Sequence, residues 1–195
     1  GSAARSIAGP MMVWGESTAF LGSSDLYAIV PENEWHPIFQ NFQDTVLIVD
    51  KGQKKVSSTL GHGIMNGHPF AAQRFEQANR NIAALKNALN TGDLDQFIDI
   101  TEGEAMSLHA MMMTSQPRFM LMQPQTLAII QKIWDFRAES QLPLCFTLDA
   151  GANVHLLYPK QDCISVMDFI KNELCSFCQN GEYIEDQVGN GPQKM

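Results

Sequence analysis

Hydrophobic and polar positions along the chain follow two spacings, which predict an ordered series of strands and helices. Short apolar segments bounded by Gly, Pro, Asn or Asp predict strands at 11–14, 26–30, 46–50, 146–148 and 154–158. Longer segments with apolar residues three or four positions apart predict helices at about 69–90, 93–113, 123–140 and 166–178. The alternation of the two kinds of element indicates a mixed fold.

Two of the predicted helices each carry one apolar face. In the first helix this face contains Phe75, Ile82, Leu85 and Leu89, and in the third it contains Leu127, Ile130, Ile133 and Trp134. A helix with one apolar face must bury that face against another layer. We therefore predict an α+β fold in which helices pack on one face of a largely antiparallel sheet.

Composition and charge exclude several classes of protein. The chain has 195 residues, 45% of them hydrophobic and 17% charged, so it can bury a substantial core. Its formal net charge is -8 and it has no run rich in Lys or Arg, which argues against binding to nucleic acid. Since no apolar run reaches the roughly 18 residues that cross a bilayer, we expect no membrane partner and a cytoplasmic location.

The four cysteines do not form a recognisable framework for disulfides or zinc. Cys175 and Cys178 make a single C-x-x-C pair with no second pair at the spacing of a zinc site. We interpret them as two buried or incidental thiols on the last helix, and we predict no metal site built from protein ligands alone.

The segment 146–153, Phe-Thr-Leu-Asp-Ala-Gly-Ala-Asn, is the strongest candidate for chemistry. An apolar strand delivers the carboxylate of Asp149 into a turn of small residues, where a side chain is both fixed and accessible. The alternative is that Asp149 only caps the following turn through its side-chain oxygens.

The first six residues, Gly-Ser-Ala-Ala-Arg-Ser, suit an anion. Arg5 offers a planar fork for a carboxylate or phosphate, and the hydroxyls of Ser2 and Ser6 can complete such a site. A Gly-Ser pair at the start of a chain is also what a cloning vector leaves behind. The residues that follow decide between the two interpretations.

These segments, together with several blocks between them, resemble the GHMP kinase superfamily and, within it, the mevalonate diphosphate decarboxylase family. The blocks stand in the family's order and cover nearly the whole chain: Gly1–Ser6, Met11–Gly15, Val46–Asp50, Lys54–Thr59, Ser107–Ala110, Phe146–Asn153 and Gln187–Gln193. Because the following Ala-Ala-Arg-Ser continues the family motif, we interpret Gly1 and Ser2 as native sequence. The resemblance implies a GHMP-kinase-type fold with a ferredoxin-like C-terminal domain.

The chain departs from the family pattern in two respects. Ala152 stands where the family usually has Pro, so the turn after Asp149 loses a fixed φ. No glycine-rich phosphate loop occurs in the sequence. We therefore interpret the chain as the C-terminal portion of such an enzyme, with 1–60 as the end of the N-terminal domain and 61–195 as the C-terminal domain.

The resemblance implies an ATP-dependent decarboxylation of mevalonate 5-diphosphate to isopentenyl diphosphate, with magnesium accompanying ATP. Asp149 and Arg5 are then the catalytic residues. The resemblance assigns the contacts with the substrate to Ser2, Arg5, Ser6, Ser57 and Ser58. The resemblance also implies a homodimer, and a chain that is inactive without its missing N-terminal region.

Two other functions stay open. A related GHMP enzyme could phosphorylate or decarboxylate mevalonate or its monophosphate, and a homologue without activity could serve assembly alone. His109 matches a family position, but a His on an apolar helix is more often a structural residue than a catalyst.

Overall fold

The structure is a computed structural model that describes residues 9–32, 35–52, 63, 65 and 67–189. Six strands lie within these residues: β1 (Val13–Trp14), β2 (Ala28–Ile29), β3 (Gln43–Leu47), β4 (Cys145–Leu148), β5 (Val154–Tyr158) and β6 (Tyr183–Gln187). The same residues contain four α-helices: α1 (Ala71–Thr91), α2 (Leu94–Thr114), α3 (Pro124–Ser140) and α4 (Cys163–Phe169).

The main sheet has four strands in the order β4-β5-β3-β6, and all of its neighbours are antiparallel. Strand β3 lies at its centre although it comes first in the sequence, with Leu47 opposite Val154 on one side and opposite Tyr183 on the other. A separate pair, β1 and β2, forms a two-stranded antiparallel ribbon. The predicted α+β fold with a largely antiparallel sheet is confirmed.

One hydrophobic core lies between this sheet and helices α3 and α4. Alternate residues of the strands point into it, as expected where one face of a sheet is buried. The core includes Leu47, Phe146, Val154 and Leu156 from the strands and Ile129, Ile133, Val166 and Phe169 from the helices. The rings of Phe136 and Phe169 stack across the two helices with their centroids 4.0 Å apart.

Helix α2 covers the outer edge of β4, which has only one strand neighbour. There the backbone N–H of Phe146 donates to Glu102 Oε1 of α2 at 3.3 Å. Arg137 of α3 donates to Glu102 and to the carbonyl oxygen of Leu144, at 2.6 and 2.8 Å. Because these side chains use polar groups that an edge strand leaves open, β4 is held in place up to the residue before Asp149.

Helices α1 and α2 meet at a left-handed residue. Gly92 has φ +79°, and its N–H donates to the Ala88 carbonyl to close α1. Asp93 then caps α2 by accepting from the Gln96 N–H at 2.9 Å. An added Cβ on Gly92 would lie 2.6 Å from His36 Nδ1. The position therefore needs glycine for its backbone angle and for the close approach of His36.

The third predicted strand was displaced along the chain. The ladder covers Gln43–Leu47 rather than 46–50. After Leu47 the backbone turns, with the Val49 N–H donating to the Leu47 carbonyl at 3.1 Å, so Ile48 is buried without joining the ladder. The predicted strand is therefore correct for Val46 and Leu47 and wrong for residues 48–50.

The last predicted helix is only partly correct. It begins at Cys163, widens to a π-helical turn over Ile170–Leu174 and ends in a short 3-10 turn over Cys175–Phe177. The following strand β6 was not predicted, because four of its five residues are exposed and give no apolar alternation.

Three residues of the predicted apolar helix faces are exposed. Phe75 of α1 is 55% exposed, and Leu127 and Trp134 of α3 are 50% and 38% exposed. The buried residues of α3 are Thr126, Ile129, Ile130 and Ile133.

The division between domains at residue 60 stays a prediction. Strand β3 precedes that boundary and lies in one sheet with β5 and β6, which follow it. In the part of the chain that the structure describes, no helix is both long and apolar enough to cross a bilayer.

Candidate functional site

Asp149 lies directly after β4, at the head of the turn that leads into β5. Its side chain is exposed. Its carbonyl oxygen accepts the Gly151 N–H at 2.8 Å, which closes the turn. An added Cβ on Gly151 would lie 2.9 Å from Asp149 Oδ1. The carboxylate therefore lies over the turn, close to residue 151, and a side chain at that residue would require it to shift.

His109 approaches the same carbonyl from helix α2. Its Nε2 lies 3.1 Å from the Asp149 carbonyl oxygen, and only 1% of the residue is exposed. Since a carbonyl can only accept, Nε2 must carry the proton. Burial lowers the pKa of His109, while the bond to the Asp149 carbonyl and the Asp149 charge oppose that shift less strongly. The imidazole is therefore neutral at pH 7 and acts as an N–H donor.

Helix α3 contributes a second anchor to the turn. The hydroxyl of Thr126, which is fully buried, donates to the Ala152 carbonyl oxygen at 2.7 Å. The same hydroxyl accepts the Gln123 N–H at 3.1 Å. Ala152 is thus held at the family's proline position by a hydrogen bond to its carbonyl, which a proline would accept equally well.

A third anchor joins the turn to the loop after β3. Asn153 Oδ1 accepts the Asp50 N–H at 3.0 Å, and Asp50 Oδ1 accepts the Gly52 N–H at 2.7 Å. Lys51, between them, forms an exposed ion pair with Glu182. The loop that leads toward Ser57 and Ser58 therefore starts beside the Asp149 turn.

These segments enclose a small cavity of about 90 Å³. Its lining combines the Asp149 turn with the loop after β3 and with the segment before α3, and consists of Asp50, Gly52, Met120, Leu121, Gln123 and residues 149–153. A space of this size accepts one end of a small ligand. The carboxylate of Asp149 is at its wall, where it can accept a hydrogen bond from a hydroxyl.

The other predicted site residues lie outside the described residues: Ser2, Arg5, Ser6, Ser57 and Ser58. The structure therefore places Asp149 and leaves their roles as predictions. It adds three residues that the sequence did not single out for this purpose, namely the buried donors His109 and Thr126 and the bridging Asn153. His109 and Asn153 lie in segments that resemble the family, and the only signal for Thr126 was a polar residue on a largely apolar helix.

The two cysteines of the C-x-x-C pair are partly or completely buried. Burial raises the pKa of Cys178 to about 11 and also raises that of Cys175, so neither thiol is activated at neutral pH. Among the described residues, no three or more His, Cys, Asp and Glu side chains come together to hold a metal ion. A larger cavity of about 410 Å³, between β1 and helices α1 and α2, shares no residue with the Asp149 turn.

The family is decided by a match that spans most of the chain. Residues 45–194 match the model of the mevalonate 5-diphosphate decarboxylase C-terminal domain. The chain belongs to this family. The match includes the second half of β3, the Asp149 turn and all the described residues that anchor it. Family membership and the structure agree on the fold that the resemblance implied.

Relatives of this decarboxylase family match over different lengths. The diphosphomevalonate decarboxylase of Aspergillus fumigatus is 27% identical over 175 residues, which is 88% of this chain and 42% of that protein. The phosphomevalonate decarboxylase of Haloferax volcanii is 31% identical over 91 residues, which is 47% of this chain and 28% of that protein. The chain thus spans less than half the length of these curated relatives.

Solved structures of the family share the fold. The mevalonate diphosphate decarboxylase of Staphylococcus aureus has a TM-score of 0.80 at 24% identity, covering 98% of this chain and 55% of that one. A structure described as MDDEF in complex with MVAPP, AMPPCP and magnesium has a TM-score of 0.81 at 22% identity, covering 98% and 56%. At this identity the likeness concerns the fold alone.

Proposed function

We propose that the intact protein to which this chain belongs catalyses the ATP-dependent decarboxylation of mevalonate 5-diphosphate to isopentenyl diphosphate. The observation that carries the proposal is the position of Asp149 in a chain that matches the decarboxylase family over 45–194. Its carboxylate stands at the wall of a small cavity, at the head of a turn anchored from three other segments.

The proposed reaction begins with transfer of the terminal phosphoryl group of ATP to the tertiary hydroxyl of the substrate. Asp149 orients that hydroxyl and accepts its proton, which a carboxylate within hydrogen-bond reach can do. The C–O bond to the new phosphate then breaks and positive character develops on the tertiary carbon. Asp149 is exposed, so it first passes the proton to solvent, and the carboxylate that this restores stabilises the positive charge.

The last step releases carbon dioxide. The bond between the substrate carboxylate and its neighbouring carbon breaks, and its electron pair forms the double bond of isopentenyl diphosphate. In this proposal Arg5 holds the substrate carboxylate through a bidentate contact. Ser2, Ser6, Ser57 and Ser58 contact the carboxylate or the diphosphate through their hydroxyls.

ATP and magnesium are part of the proposal as co-substrate and metal. Magnesium, when bound, neutralises charge on the phosphoryl oxygens. Because the described residues include no cluster suited to hold a metal by themselves, we assign the ion to the phosphate groups and assign no ligand among these residues. The homodimer that the resemblance implies and the cytoplasmic location that the sequence pattern indicates remain predictions.

The test is product formation by the intact protein. It should form isopentenyl diphosphate from ATP, magnesium and mevalonate 5-diphosphate, with ADP, phosphate and carbon dioxide in equal amounts. Asp149→Asn keeps the shape of the side chain and removes its charge, so it should abolish turnover while substrate binding, measured by calorimetry, stays within about threefold. Retained turnover in this variant would remove Asp149 from the proposed role.

A second candidate substrate is mevalonate 5-phosphate. The observation that favours it is the 31% identity to the phosphomevalonate decarboxylase of Haloferax volcanii, although over only 91 residues. The same assay with the monophosphate decides between them through the ratio of the two kcat/KM values. An intact protein that releases ADP with neither substrate would support the alternative of a homologue without activity.

A further inference from the structure

Among the described residues, His109 forms one hydrogen bond, and its partner is the residue that carries the candidate catalytic carboxylate. Its Nε2 contacts the Asp149 carbonyl oxygen at 3.1 Å and joins residues 40 positions apart in the sequence. His109 lies on α2, and only 1% of the residue is exposed. Close packing around a buried side chain restricts its movement relative to the helix.

The effect of this bond differs from that of the other bond to the same oxygen. The Gly151 N–H belongs to the turn itself, so its bond to Asp149 moves with the turn. The His109 bond comes from a separate element and ties the turn to helix α2. Since the carbonyl and the side chain branch from the same Cα, a fixed carbonyl restricts the direction in which the Asp149 carboxylate points.

The composition of the turn makes such a restraint necessary. Asp149 is followed by Ala150, Gly151 and Ala152, three small residues of which none fixes its own φ. The family's usual proline would supply that stiffness at residue 152. In this chain the direction of the Asp149 carboxylate therefore depends on hydrogen bonds that other elements make to the turn.

The chain contains a second buried histidine that serves as an internal comparison. His68 is 8% exposed, and its Nε2 lies 3.1 Å from the Thr114 hydroxyl at the end of α2. Its Nδ1 accepts the Phe70 N–H at 3.2 Å. Both partners of His68 lie outside the Asp149 turn, so His68 represents a histidine that only stabilises local structure.

We propose that His109 is a positioning residue for Asp149: its Nε2–H, by donating to the Asp149 carbonyl, sets the direction of the carboxylate toward the substrate hydroxyl. This inference rests on the proposed function, in which Asp149 acts on that hydroxyl. His109 itself touches no substrate in this role. Its loss should therefore change the rate of the chemical step and leave substrate affinity in place.

The experiment compares three variants of the intact protein with the wild type. His109→Gln places an amide N–H near the position of Nε2, whereas the shorter His109→Asn is polar but does not reach the Asp149 carbonyl. His68→Leu is the matched control. We expect kcat to fall about 10- to 100-fold in His109→Asn, as for a small misplacement of a catalytic group. KM should stay unchanged, His109→Gln should recover most of the rate, and His68→Leu should remain close to wild type.

The outcomes separate the two proposals. Equal kcat values for His109→Gln and His109→Asn, or an effect on KM rather than kcat, would overturn the positioning role while wild-type turnover upheld the proposed function. Absence of product from the wild type would overturn the proposed function and this inference with it. If His109→Asn is found unfolded by circular dichroism, its low rate reports lost stability, and a purely structural role replaces the positioning role.

Discussion

At the scale of single residues, the site depends on neutral, buried polar groups that hold a charged, exposed one. His109 and Thr126 are almost completely buried and donate to backbone carbonyls of the turn, while the Asp149 carboxylate stays accessible. Burying neutral donors that are fully used costs little, whereas burying a charged group is expensive unless it is paired. The arrangement holds the backbone of Asp149 in place while its side chain stays accessible.

The burial of His109 predicts a pH dependence of stability. Its pKa is lowered in the folded state, so the unfolded chain takes up the proton first as pH falls through about 6.5. The folded state therefore loses stability below that pH, by up to about 1.4 kcal/mol per pH unit for one proton. His109→Gln cannot take up this proton. The free energy of unfolding, measured with urea at several pH values between 7.5 and 5.5, should fall less steeply with falling pH in this variant than in the wild type. An identical pH dependence in the two proteins would contradict the assignment.

At the scale of elements, the sequence predicted where helices and strands occur better than how they pair. The predicted start of the second helix at Asp93 agrees with the cap observed there, because a capping carboxylate is a local signal. Strand β6 was not predicted because four of its five residues are exposed, and the bounds of β3 were predicted wrongly because the chain turns after Leu47. Both features depend on pairing partners that lie far away in the sequence. A helix cap can be predicted from neighbouring residues, whereas strand pairing depends on residues that are distant in the sequence.

The same contrast holds for the candidate site. Asp149 was predicted because a strand, an acidic residue and a small-residue turn follow one another in the sequence. His109, Thr126 and Asn153 come from helices α2 and α3 and from the end of the turn, and only the fold brings them together. Arg5 and the four serines lie outside the described residues and stay predictions.

The junction between α1 and α2 provides a matched pair of glycine substitutions. Gly92→Ala should destabilise the protein by about 1–2 kcal/mol, because the residue is left-handed and its Cβ would meet the His36 ring. Gly103 lies inside α2 with no heavy atom within 4 Å of an added Cβ. Gly103→Ala should therefore stabilise by about 0.5–1 kcal/mol. Chemical denaturation measures both, and equal signs would refute the argument.

At the scale of the whole molecule, the main sheet depends on its last strand. Strand β6 pairs with β3 along its full length, and the carbonyl of Glu182 just before it accepts the Ile48 N–H at 3.1 Å. Without β6, β3 becomes an edge strand with open hydrogen-bonding groups, which favours association between chains. Removal of residues 183–195 should therefore reduce the fraction that elutes at the wild-type position in size-exclusion chromatography. An unchanged profile would mean that β3 tolerates an open edge.

The central place of β3 in the sheet also has a consequence for synthesis on the ribosome. The two neighbours of this strand are made more than a hundred residues after it, and its Gln43 reaches Gln187 across 144 positions. At about 5–20 residues per second, β3 waits roughly 7–30 s for its last partner. Pairings so distant in sequence also form slowly. The loop after β3 and the Asp149 turn can be clamped together only after Asn153 has been made, so the nascent chain carries helices before it carries a site.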